Sequence, residues 1–196
     1  MILGVTGGIA SGKSTVSGYL KSKNLPIVDA DAISHKITGK NAKGAKAIKS
    51  AFGEDFFIDG RLDRQKLGQF CFGNQERTEL LNSILHPLII EEMDKELTEF
   101  QQQNHPIIIL DVPLLFESGL DKKCHKTLAV VCEKETRVAR AMARSKISRL
   151  EVLARIENQM SDQERVSKAD FVIDNNGTIE NTVSQIDKVL EELNYG

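Results

Sequence analysis

Near the start of the chain, Gly7-Gly8-Ile9-Ala10-Ser11-Gly12-Lys13-Ser14 sets two glycines, a lysine and a hydroxyl at the spacing G-x-x-x-x-G-K-[ST]. Glycines let successive backbone N–H groups turn inward around an anion, and a helix starting at the second one adds partial positive charge. A lysine there reaches the outer phosphates of a nucleoside triphosphate, and the next hydroxyl suits Mg²⁺. The apolar run Ile2-Leu3-Gly4-Val5 precedes the loop and the helical run Ser14 to Lys21 follows it. That strand–loop–helix order is what the phosphate chemistry requires. Gly8, Ala10, Ser11, Gly12, Lys13, Ser14 and Thr15 are therefore expected around the phosphates.

Three further sets of residues bear on what happens to the phosphate. Asp111 ends the apolar run Ile107 to Leu110 and is expected to share Mg²⁺ with Ser14. In Val28-Asp29-Ala30-Asp31 two carboxylates stand two residues apart, which on an extended segment gives them one face. Phosphoryl transfer to an alcohol needs a group that orients the hydroxyl and takes its proton, and Asp31 is placed for it. Asp29 either orients the acceptor or caps the following helix. Arg137, Arg140 and Arg144 lie at i, i+3 and i+7, so one helix face carries all three. They supply charge to a phosphoryl transition state or stack on adenine; the plain alternative is a solvated face paired with Glu133 and Glu135.

These residues need a scaffold, and the chain supplies an α/β rhythm. Five apolar runs without polar alternation read as strands of a parallel sheet covered on both faces: 2–5, 26–28, 107–110, 127–131 and 171–173. Helical patterns separate them. Ile179, Val183, Ile186, Leu190 and Leu193 form a closing amphipathic helix with Thr178 as its cap. Leu80, Leu81, Ile84, Leu85 and Leu88 form another, with Pro87 as a kink or boundary. About eighty residues separate the second and third strands, more than a crossover helix uses, so a helical insertion is expected there. The expected division is a nucleotide-binding core (1–31, 106–132, 169–196), a helical substrate domain (32–105) and an arginine-rich lid (133–168).

The bulk properties narrow the class. The 196 residues are 40% hydrophobic and 28% charged, with a net charge of −2, an ordinary globular profile. That balance favours neither nucleic acid nor an anionic membrane as partner. The three cysteines, Cys71, Cys124 and Cys132, show no close pairing and read as reduced thiols. Ile2 to Val5 is too short for a signal peptide and Asp111 interrupts the run at 107–110, so a cytoplasmic protein without a membrane span is expected. No Asn-Lys-x-Asp guanine-reading sequence occurs, and the chain is short for a motor. The rival readings are a kinase for a small acceptor and a nucleotide-dependent switch.

Taken in order, Thr6 to Ser14, Val28 to Asp31, Leu85-His86-Pro87, Asp111 to Glu117 and Ala169 to Asn175 resemble the dephospho-coenzyme A kinase family over nearly the whole chain. The resemblance implies a P-loop kinase fold: a five-stranded parallel sheet flanked by helices, with an inserted substrate domain and a lid. It implies ATP and dephospho-coenzyme A as substrates, Mg²⁺ as cofactor and the ribose 3′-hydroxyl as acceptor. Carried over by position, it makes Asp31 the general base, Arg140 a catalytic lid arginine and Arg144 an ATP contact. It likewise puts Asn175 and Gly177 near the adenine, and Arg64, His86, Pro113, Leu114 and Glu117 on the acceptor. Two positions depart from the family pattern. Ala10 stands where a further glycine is usual, and its methyl requires a negative φ. Ser145-Lys146 stands where an acidic residue is common.

Overall fold

A computed structural model of the protein describes residues 1–71, 73–145 and 147–195. In chain order the elements are β1 (Ile2–Gly7), α1 (Lys13–Ser22), β2 (Ile27–Asp29), α2 (Ala30–Ile37), α3 (Lys43–Phe52), β3 (Phe57–Ile58), β4 (Arg61–Leu62), α4 (Arg64–Cys71) and α5 (Gln75–Gln102). There follow β5 (Ile108–Asp111), β6 (Lys126–Val131), α6 (Lys134–Ser145), α7 (Arg149–Glu157), α8 (Asp162–Lys168), β7 (Phe171–Asp174) and α9 (Ile179–Glu192). All five expected sheet strands are present.

The chain divides into two compact units, residues 1–28 with 100–196, and residues 29–99. The first is built on a five-stranded sheet in the order β2-β5-β1-β6-β7. Strand β1 lies at its centre, in parallel register with β5 (Val5 opposite Asp111) and β6 (Gly7 opposite Val130). All six of its residues are buried, because helices cover both faces of such a strand. Residues two apart share a strand face, so Leu3 and Val5 join Ile107, Ile109, Leu128, Val130 and Ile173 in one apolar layer. Val16 and Leu20, four apart on α1, and Ile186 with Leu190 on α9 close over that layer. Leu20 has no exposed surface, and truncating such a residue to alanine costs about 2–5 kcal/mol. Thr178 caps α9 as expected, its hydroxyl accepting from the Asn181 N–H at 3.3 Å.

The second unit is mainly helical, as expected of the insertion, and also holds a small hairpin. Between α3 and α4 the short strands β3 and β4 pair antiparallel, Phe57 opposite Leu62. Asp59 (φ 50°) and Gly60 (φ 76°) turn the corner. Two successive positive φ values are what a two-residue hairpin needs, and Asp-Gly is a favoured pair for it. The unit has its own core of Ile48, Phe56, Leu67 and Cys71. Phe70 packs at its edge against Phe56, and Arg77 lies 3.9 Å over its ring. Phe72 and Lys146 lie outside the described residues. Pro87 is not a boundary, since α5 runs through it from Gln75 to Gln102.

Candidate active site

The site begins where β1 hands over to α1. Gly12 adopts φ 98°, left-handed backbone that glycine enters freely, and α1 starts at Lys13 with no side chain capping its first amides. A Cβ on Gly12 would also come within 1.8 Å of the Asn175 amide nitrogen. Conformation and space therefore both demand glycine there. Ala10 departs from the expectation: its φ is 57°, on the side where a Cβ is disfavoured, about 1–2 kcal/mol for an L-residue. Its methyl packs against a small cluster of Val138, Ala141 and Val152 from α6 and α7, which offsets part of that cost.

Lys13 forms an ion pair with Oδ1 of Asp111, which terminates β5 beside β1 in the sheet. Oδ2 of Asp111 accepts from the Ser17 hydroxyl at 2.6 Å. Ser17 is one turn beyond Lys13 on α1, so both face the same carboxylate. Asp111 is 4% exposed, and a buried carboxylate needs such partners to stay charged.

The backbone of the loop is braced from two sides. Asn175 Nδ2 donates to the Ser11 carbonyl at 2.8 Å, while its Oδ1 accepts from Thr182 Oγ1 at 2.9 Å. On the other side Arg137 Nε donates to the Ile9 carbonyl at 2.9 Å, and Gln159 Oε1 accepts from the Ile9 N–H at 2.8 Å. Arg137 is buried, and its Nη1 meets Asp162 at 2.8 Å. Asp162 also holds the fully buried Arg165, whose Nη2 reaches Glu117 at 3.5 Å. The three arginines of α6 therefore do not act as one face. Arg137 turns inward, whereas Arg140 and Arg144 line an open cleft of about 310 Å³ with Ala10, Gly12, Ser14, Thr15, Asn175, Gly177 and Ile179. Arg140 donates to the Asn175 carbonyl at 3.3 Å and to the Cys132 sulfur at 3.4 Å. The pairing with Glu133 and Glu135 as a solvated face does not hold for Glu135, which instead binds Arg149 with both oxygens at 2.9 Å.

Other expected residues fall as follows. Gly8 and Ser11 are buried, and the Ser11 hydroxyl is one of two buried side-chain polar atoms without a partner among the described residues. The Pro113 carbonyl accepts from Thr6 Oγ1 at 2.9 Å and Leu114 is exposed. Glu117 is engaged, accepting from the Met160 N–H at 3.1 Å as well as facing Arg165.

In the second unit, Asp29 and Asp31 do not share an extended face, because α2 starts at Ala30. Asp29 is its cap, with Oδ1 accepting from the N–H groups of Asp31 (2.8 Å) and Ala32 (3.1 Å). The cap was the alternative reading for Asp29, and geometry selects it. Asp31 sits in the first turn, where the helix dipole favours its charge. Arg64 donates to the Ser34 carbonyl at 2.9 Å and to the Thr38 hydroxyl. Partial burial lowers the Arg64 pKa and the nearby Asp31 carboxylate opposes that shift, so the two charges sense each other. His86 is exposed on α5.

With this geometry in place, the chain matches the model of the family described as dephospho-CoA kinase over residues 1–181. The chain belongs to the dephospho-CoA kinase family. The dephospho-CoA kinase of Oceanobacillus iheyensis is 41% identical over 195 residues, 99% of this chain and 98% of that protein. A solved structure, TT1252 from Thermus thermophilus, aligns with TM-score 0.85 at 38% identity, covering 98% of this chain and 97% of the other. The dephospho-CoA kinase from Campylobacter jejuni aligns with TM-score 0.72 at 30% identity over 98% and 96%. The fold is thus the P-loop kinase fold of this family, as the ordered motifs implied.

Sequence reasoning missed Gln159, Ser17, Asp162 and Thr182, and the family resemblance assigned no role to Arg137. One signal was available for Arg137: it stands four residues before Ala141 and next to Val138, on the apolar stripe of α6 rather than its polar face. Nothing local marks Gln159, whose partner Ile9 is 150 residues distant, or the contact of Asp162 with Arg137, 25 residues away.

Proposed function

We propose that the protein transfers the γ-phosphoryl group of ATP to the ribose 3′-hydroxyl of dephospho-coenzyme A, forming coenzyme A, the last step of its synthesis. The family match over residues 1–181 carries the choice of acceptor. The phosphate end rests on the uncapped N-terminus of α1, with Lys13 as its first residue. Lys13, leaving Asp111 for the β- and γ-phosphates, neutralises charge on the donor. Arg140 supports the equatorial oxygens in the transition state, and Arg144, Asn175 and Gly177 border the adenosine end of the same cleft. Asp31, in the first turn of α2, accepts the acceptor hydroxyl's proton.

Ser14 and Asp111 would hold Mg²⁺. Their donors are a hydroxyl and a carboxylate, hard oxygens that suit this ion, which keeps several waters and needs few protein ligands. Consistent with that sparse set, no cluster of three or more His, Cys, Asp or Glu occurs among the described residues. Bound there, the ion would offset charge on the phosphate oxygens. Residues 32–105 act as the acceptor domain, with Arg64, His86, Pro113, Leu114 and Glu117 on the acceptor side, and residues 133–168 act as the lid. The expected setting is the cytoplasm; no helix among the described residues is long and apolar enough to cross a membrane.

Purified protein with ATP, Mg²⁺ and dephospho-coenzyme A should yield coenzyme A, followed by chromatography; absence of product with all three present overturns the reading. Asp31→Asn should lower kcat by ~10²-fold or more while ATP affinity stays within about twofold. Equal losses in both would remove the base role from Asp31.

A further inference from the structure

Arg137 makes three contacts that together say more than ion pairing. Its Nε holds the Ile9 carbonyl, its Nη1 holds Asp162, and its guanidinium closes on Gly8. A Cβ on Gly8 would sit 2.3 Å from Arg137 Nη2, so only glycine admits the arginine at this distance. The Ile9–Ala10 peptide is trans, as are all peptides described, and in a trans peptide the carbonyl and the following N–H point in opposite directions. A carbonyl drawn back toward buried Arg137 therefore aims the Ala10 N–H the other way. Ala10 borders the cleft that also contains Gly12, Ser14 and Thr15.

We infer that Arg137 is a positioning residue: it fixes the Ile9–Ala10 peptide so that the Ala10 N–H is preset to receive a phosphate oxygen. The preceding peptide is fixed independently, because Gln159 takes the Ile9 N–H outward and the Gly8 carbonyl accepts from the Ser11 N–H at 3.0 Å. Arg137 is itself held by a chain of alternating charge, Arg137–Asp162–Arg165–Glu117, in which both arginines are buried and each inner member has two oppositely charged neighbours. Such a chain keeps the guanidinium in one orientation, which a lone buried arginine would not keep. The positive φ of Ala10 belongs to the same tight turn, in which the Ser11 N–H returns to the Gly8 carbonyl. This inference rests on nucleotide binding by the loop and not on the identity of the acceptor.

Arg137→Lys keeps a charge for Asp162 but loses the planar fork that serves Ile9 and Asp162 together. Its dissociation constant for a non-hydrolysable ATP analogue with Mg²⁺ should rise by about tenfold, equivalent to about 1.4 kcal/mol. KM for dephospho-coenzyme A should stay within about twofold, because the acceptor does not meet this peptide. In ¹⁵N-alanine-labelled protein, the Ala10 amide proton should shift downfield on analogue binding, and in Arg137→Lys that shift should shrink. Gln159→Ala, at a half-buried position that leaves no charge unpaired, provides a second variant, with a rise of about threefold. A merely structural role predicts a lower melting temperature with the analogue's affinity and the Ala10 shift unchanged in the folded protein. That result in both variants overturns the inference.

Discussion

Lys13 and Asp111 lie ninety-eight residues apart in the chain and share an ion pair at the carboxyl ends of β1 and β5. The pair gives a buried carboxylate its cationic partner, and in the proposed function both groups take up a second task with nucleotide bound. Asp111→Asn should therefore leave ATP-analogue binding without metal nearly unchanged while lowering kcat by ~10²-fold and raising the Mg²⁺ concentration needed for half-maximal rate. A metal titration of both proteins checks this, and an unaltered Mg²⁺ dependence would remove Asp111 from the metal site. Chelating divalent ions with EDTA should abolish turnover in the unmodified protein.

Ala10 at φ 57° makes the loop sensitive to the shape of this side chain. Ala10→Gly relieves about 1–2 kcal/mol of backbone strain, but it gives back part through a more flexible unfolded chain and a lost methyl contact. Its net stability should fall within about 1 kcal/mol of the parent. Ala10→Val puts a branched Cβ at the same φ and should cost about 2–3 kcal/mol. Urea unfolding of the three proteins ranks them, and a valine variant as stable as the parent would mean that Ala10 has negative φ in solution.

Asp170 ties β7 to β6. Its Oδ2 accepts from the Thr127 N–H (2.8 Å) and hydroxyl (2.9 Å), and Oδ1 accepts from Lys126 at 2.9 Å. Partial burial alone would raise the carboxyl pKa, and these hydrogen bonds outweigh it, so the folded value is lowered. A lowered folded pKa stabilises above the unfolded value of about 3.9 and is lost as pH falls through the folded value. Asp170→Asn should cost about 1–3 kcal/mol at pH 7. The gap between variant and parent should narrow below about pH 4, and urea midpoints across pH 7 to 3 would show whether it does.

Burial pushes the Cys124 thiol up to about 12, with Asp121 adding to the shift. At pH 8 only about one part in ten thousand of it is thiolate, the reactive form. Cys124 should stay unalkylated by iodoacetamide in the native protein and react promptly in denaturant, as read by peptide mass spectrometry. Rapid native labelling would show that this cysteine is open to solvent.

By itself the sequence determined the five sheet strands, the strand–loop–helix at Gly7 to Ser14, the cap at Thr178 and the family. These are legible because each depends on neighbours a few residues away: uninterrupted β-branched runs, glycine spacing, a hydroxyl before an apolar stripe. The Asp59-Gly60 hairpin was equally local and went unread, since two-residue strands are too short to show alternation. The reading of Asp29 and Asp31 as one face failed for a related reason. Asp29 satisfies the first amides of α2, so the chain turns helical between them.

Only the tertiary structure decided which way each polar side chain of the site points. Arg137 and Arg140 are three residues apart on one helix, yet one is buried against Ile9 and the other borders the cleft. Asn175, expected beside adenine, uses its amide on Ser11 and Thr182. Gln159 reaches the loop from a hundred and fifty residues away. Such choices depend on which buried donors and acceptors meet across the folded chain, and spacing along a single chain carries no record of that.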